Sequence, residues 1–202
     1  MTDINPIYED KDSELVALCG KGDADAFEIL VKNYQKKMFN IAFRITGSME
    51  DASEVVQDAF FSAHRNLKNF QEKSRFSTWL YSITVNTAKN GLAKVRARNI
   101  HEANCLDDPS PRDEAMKKFE PASPDPSALD LLMKKDRQRS VQKCLNRLEQ
   151  DFKEVIVLRD VQGFSYTEIA DMLALAEGTV KSRLFRARDA VRDCLKRLLG
   201  DW

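Results

Sequence analysis

The sequence predicts an all-α protein: two small helical domains joined by an acidic flexible linker, the C-terminal one containing a helix-turn-helix. Three observations predict it. Apolar residues recur at steps of three and four through most of the chain, the period of a helix with one buried face. No glycine or proline pair marks a hairpin between alternating segments, so no sheet is expected. Residues 101–130 hold eight acids against three bases, together with five of the six prolines. Such a stretch buries too little apolar surface to offset its ordering entropy. The expected division is therefore a loose leader at 1–11, an N-terminal domain at 12–100, the linker at 101–130 and a C-terminal domain at 131–202.

The elements follow in chain order. Leu15, Val16 and Leu18 begin a short helix that ends among Gly20 to Gly22. Phe27, Leu30, Val31, Tyr34, Met38, Ile41, Ala42 and Ile45 form one long stripe stopped at Gly47. Ser48 is the expected N-cap of the next helix, with Asp51 at its third position and an acidic first turn facing the positive dipole end. That helix turns Ala52, Val55, Val56, Ala59, Phe60, Ala63 and Leu67 inward. A further helix from about Phe76 to Val95 buries Trp79, Leu80, Ile83 and Ala88. After the linker, Val141, Leu145, Leu148, Phe152, Val155 and Ile156 make a stripe split near 149–151.

Residues 163–188, GFSYTEIADMLALAEGTVKSRLFRAR, read as two helices joined by a tight turn. Ile169, Ala170 and Leu173 form one apolar stripe, and Val180, Leu184, Ala187 and Val191 another. Only Ala174 to Glu177 remain for the turn, and Ala170 supplies the small residue where the helices cross, the build of a helix-turn-helix. Lys181, Ser182, Arg183, Arg186 and Arg188 occupy the positions that the second stripe leaves free. A helix so decorated fits the DNA major groove, where its side chains reach base edges and phosphates. A plain surface hairpin shows the same two stripes; the basic groups gathered on the second helix favour DNA.

Charge distribution supports that choice although the formal net charge is zero. Residues 68–98 carry seven bases and one acid, and residues 177–197 seven bases and three acids. Two basic surfaces imply two contacts with a polyanion. A composition of 43% hydrophobic and 32% charged residues is that of a globular domain rather than a membrane-spanning chain. No apolar run is long enough to span a bilayer, and the polar, acidic start lacks the pattern of a secretory signal, so a cytoplasmic location and no membrane insertion are expected. Cys19, Cys105, Cys144 and Cys194 are far apart and lack paired spacing; idle or buried thiols are expected, with no disulfide framework, metal site or cofactor.

Residues 70–90, FQEKSRFSTWLYSITVNTAKN, interleave Phe70, Phe76, Trp79 and Tyr81 with Lys73, Arg75, Lys89, Asn86 and Asn90. Aromatic faces stack on unpaired bases while cations hold the backbone, so the mixture suits single-stranded DNA. Trp79 alone reads as core, whereas the polar loop at 71–77 with its lone Phe76 reads as a nucleic-acid contact. The preceding helix, acidic at its start and with Gln57, Asp58, His64 and Arg65 outward, suits a basic protein partner or a solvated face.

The stretches NFQEKSRFSTWLYSITVNTAKN and GFSYTEIADMLALAEGTVKSRLFRAR, in this order around an acidic linker, resemble the extracytoplasmic-function group of bacterial sigma factors. EDASEVVQDAFFSAHRNLKNF and LNRLEQDFKEVIVLRDVQGFSYTEIA are similar to that family's core-binding helix and the opening of its C-terminal domain. The resemblance implies an alternative sigma factor, not an enzyme and with no catalytic residues, whose partners are core RNA polymerase, promoter DNA both duplex and single-stranded, and an anti-sigma factor. Asp51, Gln57 and Asp58 would contact polymerase; Arg75, Phe76, Ser77, Trp79, Asn86, Lys89 and Asn90 would bind and melt the minus-ten element, one base flipped into a pocket. Thr179, Lys181, Ser182, Arg183, Phe185 and Arg186 would read the minus-thirty-five element. The family often has glycine where Ala174 stands and serine or proline where Ala176 stands; alanine at the second place removes a side-chain cap, at about 1 kcal/mol. The alternative reading is a helix-turn-helix regulator that binds duplex without polymerase. A nucleic-acid enzyme would need an acid pair, and the best one, Asp107 with Asp108, sits in the linker.

Overall fold

The computed structural model describes residues 11–70, 74–102 and 128–199. Among them the chain forms helices and no strand. Four helices precede the undescribed segment: α1 (Ser13–Gly20), α2 (Ala24–Thr46), α3 (Met49–Asn66) and α4 (Phe76–Glu102). Four follow it: α5 (Ala128–Asn146), α6 (Gln150–Ile156), α7 (Tyr166–Leu173) and α8 (Glu177–Leu199). A 3₁₀ turn at Leu67–Asn69 closes α3, and a π-helical turn at Val157–Val161 prolongs α6. Nearly all of the expected leader and linker and part of the loop at 71–77 lie outside the described residues; α4 runs on to Glu102 and α5 begins at Ala128, both within the span assigned to the linker.

Local chemistry sets the helix ends. The Asp23 carboxylate accepts from the Asp25 and Ala26 backbone N–H groups and starts α2. Gly47, at φ 80°, ends it in the left-handed conformation that a Cβ disfavours. The Ser48 hydroxyl accepts from the Asp51 N–H at 3.2 Å, the N-cap expected there. A replacement of that cap by alanine costs about 1 kcal/mol.

The core is laid down by one face of each helix. Leu30, Met38, Ile41 and Ile45 of α2 meet Ala52, Val55 and Ala59 of α3 and Leu80, Val85 and Ala88 of α4, all buried. The alanines on α3 let α2 and α4 approach closely, as small residues at a helix crossing do. Val155, Leu158, Ile169, Val180 and Leu184 fill the second half, and the two halves belong to one continuous cluster. Across the undescribed segment α4 packs on α7, and α2 on α5 and α6.

The cysteine expectation is corrected. Cys144 of α5 and Cys194 of α8 form a disulfide across 50 residues, their Cα atoms 5.7 Å apart. Both are buried, and helix packing rather than sequence spacing brings them within bonding reach. Cys19 is free and half-buried; burial, then the Asp23 carboxylate, push its thiol above the ordinary range, away from the activated thiolate.

Candidate nucleic-acid interface

Along α3, the face opposite Ala52, Val55 and Ala59 carries the residues expected to meet polymerase. Gln57 and Asp58 are exposed and Asp51, held near the N-cap, is half-buried two turns earlier. At the centre of this face stands Phe61, 60% exposed, one turn after Gln57. Sequence reasoning missed it. The signal was available: in a helix whose stripe runs through Ala59 and Ala63, Phe61 points away from the core.

The minus-ten candidates divide into a buried base and an exposed strip. Phe76 was expected as a DNA contact, but it is 1% exposed, its ring packed edge-on to Tyr34 and Phe70 and tilted against Trp79. It is therefore part of the core, since a buried aromatic ring removes a large apolar area from water. Trp79 lies half-buried beside Phe70, their centroids 5.0 Å apart, with Ser77 half-buried and Arg75 exposed beside them. Asn86, Lys89 and Asn90 are exposed at helical spacing on the side of α4 opposite Leu80, Val85 and Ala88. From Trp79 to Asn90 the strip is about 16 Å long at 1.5 Å per residue, enough for a few nucleotides.

The helix-turn-helix is present as expected. Ser165 and Glu168 form a reciprocal capping box at the start of α7. Ala174 adopts φ 52°, ψ 48°, and the Leu175 N–H returns to the Ala170 carbonyl at 2.9 Å, so three residues reverse the chain before α8. On α8, Val180, Leu184 and Ala187 face inward while Ser182, Phe185 and Arg186 face solvent, Phe185 at 68% exposure. Lys181 is exposed, lies 3.7 Å from Glu177 and stands over the Tyr166 ring; Thr179 is half-buried and its carbonyl accepts from the Ser182 hydroxyl. Arg188, one of the basic groups on the positions the apolar stripe leaves free, is held bidentately by Asp160.

Arg183 is different. It lies on the flank of α8 that turns toward α6 and pairs with Asp151 at 2.6 Å. Lys89 of α4 reaches the same carboxylate at 3.8 Å and the neighbouring Glu154 at 3.8 Å. Glu154 is 2% exposed and accepts from the Gln150 amide at 2.9 Å. Burial holds its carboxyl above the ordinary range, opposed by the Gln150 hydrogen bond and by the Lys89 and Arg183 charges. One candidate from each DNA-binding set thus converges on one acidic pair.

These parts define a class: a helical DNA-binding protein with an aromatic, amide-rich strip on α4 and a helix-turn-helix in α7 and α8. Residues 30–98 match the Sigma-70 region 2 family model and residues 138–191 the Sigma-70 region 4 model. The chain is 34% identical over 198 residues to the RNA polymerase sigma-H factor of Pseudomonas aeruginosa, covering 96% of this chain and 99% of that one. It is 36% identical over 189 residues to the ECF RNA polymerase sigma-E factor of Escherichia coli K12, covering 93% and 96%. CnrH in complex with the cytosolic domain of CnrY is similar in fold, with TM-score 0.66, 25% identity and coverage of 93% and 99%. The sigma factor RpoE of Bartonella quintana in complex with the anti-sigma factor NepR has TM-score 0.64, 26% identity and coverage of 84% and 96%. The chain belongs to the sigma-70 family, in its extracytoplasmic-function group. It is an alternative sigma factor: a subunit that binds core RNA polymerase and promoter DNA to start transcription. The rival reading, a duplex-binding regulator that needs no polymerase, leaves the region 2 match without a role.

Proposed function

We propose that the helices before the linker act as the polymerase-holding and strand-opening half, and those after it as the duplex-reading half. The outer face of α3, through Asp51, Gln57 and Asp58 with Phe61 at its centre, meets the clamp helices of the largest polymerase subunit. The exposed strip of Asn86, Lys89 and Asn90, with Arg75, Ser77 and Trp79, binds the unpaired non-template strand of the minus-ten element. The outward face of α8 enters the major groove at the minus-thirty-five element. The linker follows the polymerase channel, where its acids imitate nucleic acid. The chain performs no covalent chemistry, acts in the cytoplasm and is held in check by an anti-sigma partner. Two relatives of similar fold are complexes with a second protein, one of them an anti-sigma factor, which supports that last point.

The observation that carries this reading is the solvent-facing Ser182, Phe185 and Arg186 on a helix whose opposite stripe is fully buried. Holoenzyme reconstituted from core polymerase and this chain is expected to start transcripts on genomic DNA, and sequencing them returns both promoter elements. Arg186→Glu should abolish initiation that depends on the minus-thirty-five element while leaving core binding intact. No transcript at any promoter, or loss of core binding in Arg186→Glu, would refute the assignment.

A further inference from the structure

The disulfide holds a part of α8 that little else holds. Val180, Leu184 and Ala187 bury the first half of the helix, the half that turns Ser182, Phe185 and Arg186 outward. Beyond Ala187, Cys194 is the one buried residue of α8 among those described. Val191 and Leu195 are half-buried and line a groove with Val141 and Leu145 of α5, while Leu198 and Leu199 are exposed. The bond from Cys194 to Cys144 of α5 is therefore the main anchor of about the last three turns of α8.

The two sulfurs are chemically unequal. Arg147 directly follows α5, where its backbone N–H donates to the Cys144 carbonyl at 3.2 Å, and its Nη1 donates to the Cys194 Sγ at 3.9 Å. A guanidinium beside a sulfur favours the thiolate. Cys144 instead lies in the last turn of α5, at the carbonyl end of the helix, where the dipole opposes a negative charge. Once the bond is reduced, Cys194 is the sulfur that ionises first. Both sulfurs are buried, but a helix end released from its anchor opens locally at low cost and admits a small reagent.

We propose that Cys144 and Cys194 form a reversible, hydroperoxide-responsive switch that clamps the end of the duplex-reading helix. The Cys194 thiolate attacks the terminal oxygen of the hydroperoxide, breaks the O–O bond and becomes a sulfenic acid, and the leaving alkoxide or hydroxide takes up a proton. The Cys144 sulfur then attacks Cys194 Sγ, and the S–OH bond breaks with release of water. Two thiols are thus oxidised to one disulfide and the peroxide is reduced. A dithiol reductant reverses this by attacking Cys144, because Cys194, stabilised by Arg147, is the better leaving thiolate. Oxidation pins α8 at both ends, so its reading face keeps one orientation; reduction frees the last turns and weakens the hold on duplex. The switch rests on the role proposed above, that of a promoter reader in the cytoplasm, where thiols are kept reduced and a disulfide is transient or redox-sensing.

Full-length chain carrying Cys19→Ser and Cys105→Ser keeps only this pair of thiols. Reduced, freed of reductant and exposed to hydrogen peroxide, it should lose both thiols together, as counted by maleimide mass shift, and recover them in native buffer with a thioredoxin-class dithiol. Arg147→Ala should slow the oxidation by roughly 3–10-fold through loss of thiolate, and Arg147→Lys should restore most of the rate. With Cys144→Ser, a sulfenic-acid trap such as dimedone should label Cys194; with Cys194→Ser, Cys144 should stay almost unlabelled. Hydrogen exchange should quicken on reduction at 189–199 and not at 177–187. On promoters recovered with the holoenzyme, the bridged chain should yield about threefold more transcript than the reduced one, in proportion to the fraction of α8 held in the reading orientation. Thiols that resist peroxide in the native chain, an unchanged rate in Arg147→Ala, label on Cys144 rather than Cys194, or equal transcription in the two states overturns the proposal. If Cys144→Ser fails to fold, Arg147→Ala decides, since it keeps both thiols. No transcript in either state counts against the promoter assignment instead, and the thiol and exchange measurements then decide the switch.

Discussion

Ala174 offers a quantitative test of how the helix-turn-helix is held. It is the one non-glycine residue with positive φ among the described residues, at φ 52° and ψ 48°, and it is exposed. The left-handed conformation brings Cβ near the following carbonyl oxygen and costs an L-residue roughly 1–2 kcal/mol. Glycine removes that cost but gains freedom in the unfolded chain, which takes back about 0.4–1 kcal/mol. The strain term is the larger, so Ala174→Gly is expected to stabilise the protein by about 0.5–1 kcal/mol. At the usual slope for 150–250 residues this raises Tm by roughly 1–4 °C. The cap itself survives, because the Leu175 N–H bond to the Ala170 carbonyl is made by backbone. Ala174→Val is the control, since a β-branched residue is a more serious outlier at positive φ and must lower Tm. Melting followed by circular dichroism on the disulfide-intact chain measures both. A lower Tm for the glycine variant, or equal values for glycine and valine, would refute the account of the turn as a strained left-handed cap.

The disulfide and the buried Glu154 give two further expected outcomes. The Cys144–Cys194 bridge closes a 50-residue span, for which loop entropy in the unfolded chain amounts to about 4 kcal/mol; urea unfolding with and without dithiothreitol, with thiols counted, should show a loss of that order, and identical curves would remove the bridge from the account of stability. For Glu154, burial raises the native pKa above its ordinary value near 4.5, so the folded state binds this proton more tightly than the unfolded chain does. Its contribution is complete below the ordinary value and is lost as pH rises through the raised one. Unaltered protein should therefore lose stability relative to Glu154→Gln across that window, the amide keeping a neutral partner for Gln150 beside Lys89, Asp151 and Arg183; parallel pH profiles would show that the carboxyl is not desolvated.

What neighbouring residues decide was legible in the sequence. Gly47 ending α2, Ser48 capping α3, the stripe split before α6 and the short turn between α7 and α8 all depend on groups within about five residues of one another, and their spacing carries the information. The family was legible for the same reason, since its two informative stretches are continuous. The position of Phe76 was not: a lone aromatic in a polar loop looks exposed until Tyr34, Phe70 and Trp79 arrive around it. Nor was Phe61 noticed, although its phase on α3 already pointed outward.

Only tertiary structure paired Cys144 with Cys194, Lys153 with the Ile45 carbonyl, and both Lys89 and Arg183 with Asp151. The Ile45 and Lys153 partners stand 108 residues apart. Nothing in the spacing of such residues distinguishes them from solvated surface groups, because a long-range pair exists only once hydrophobic burial has placed its helices. The sequence by itself determined which helices form and which family they serve; packing decided which of the DNA-seeking side chains face solvent and which face another part of the chain.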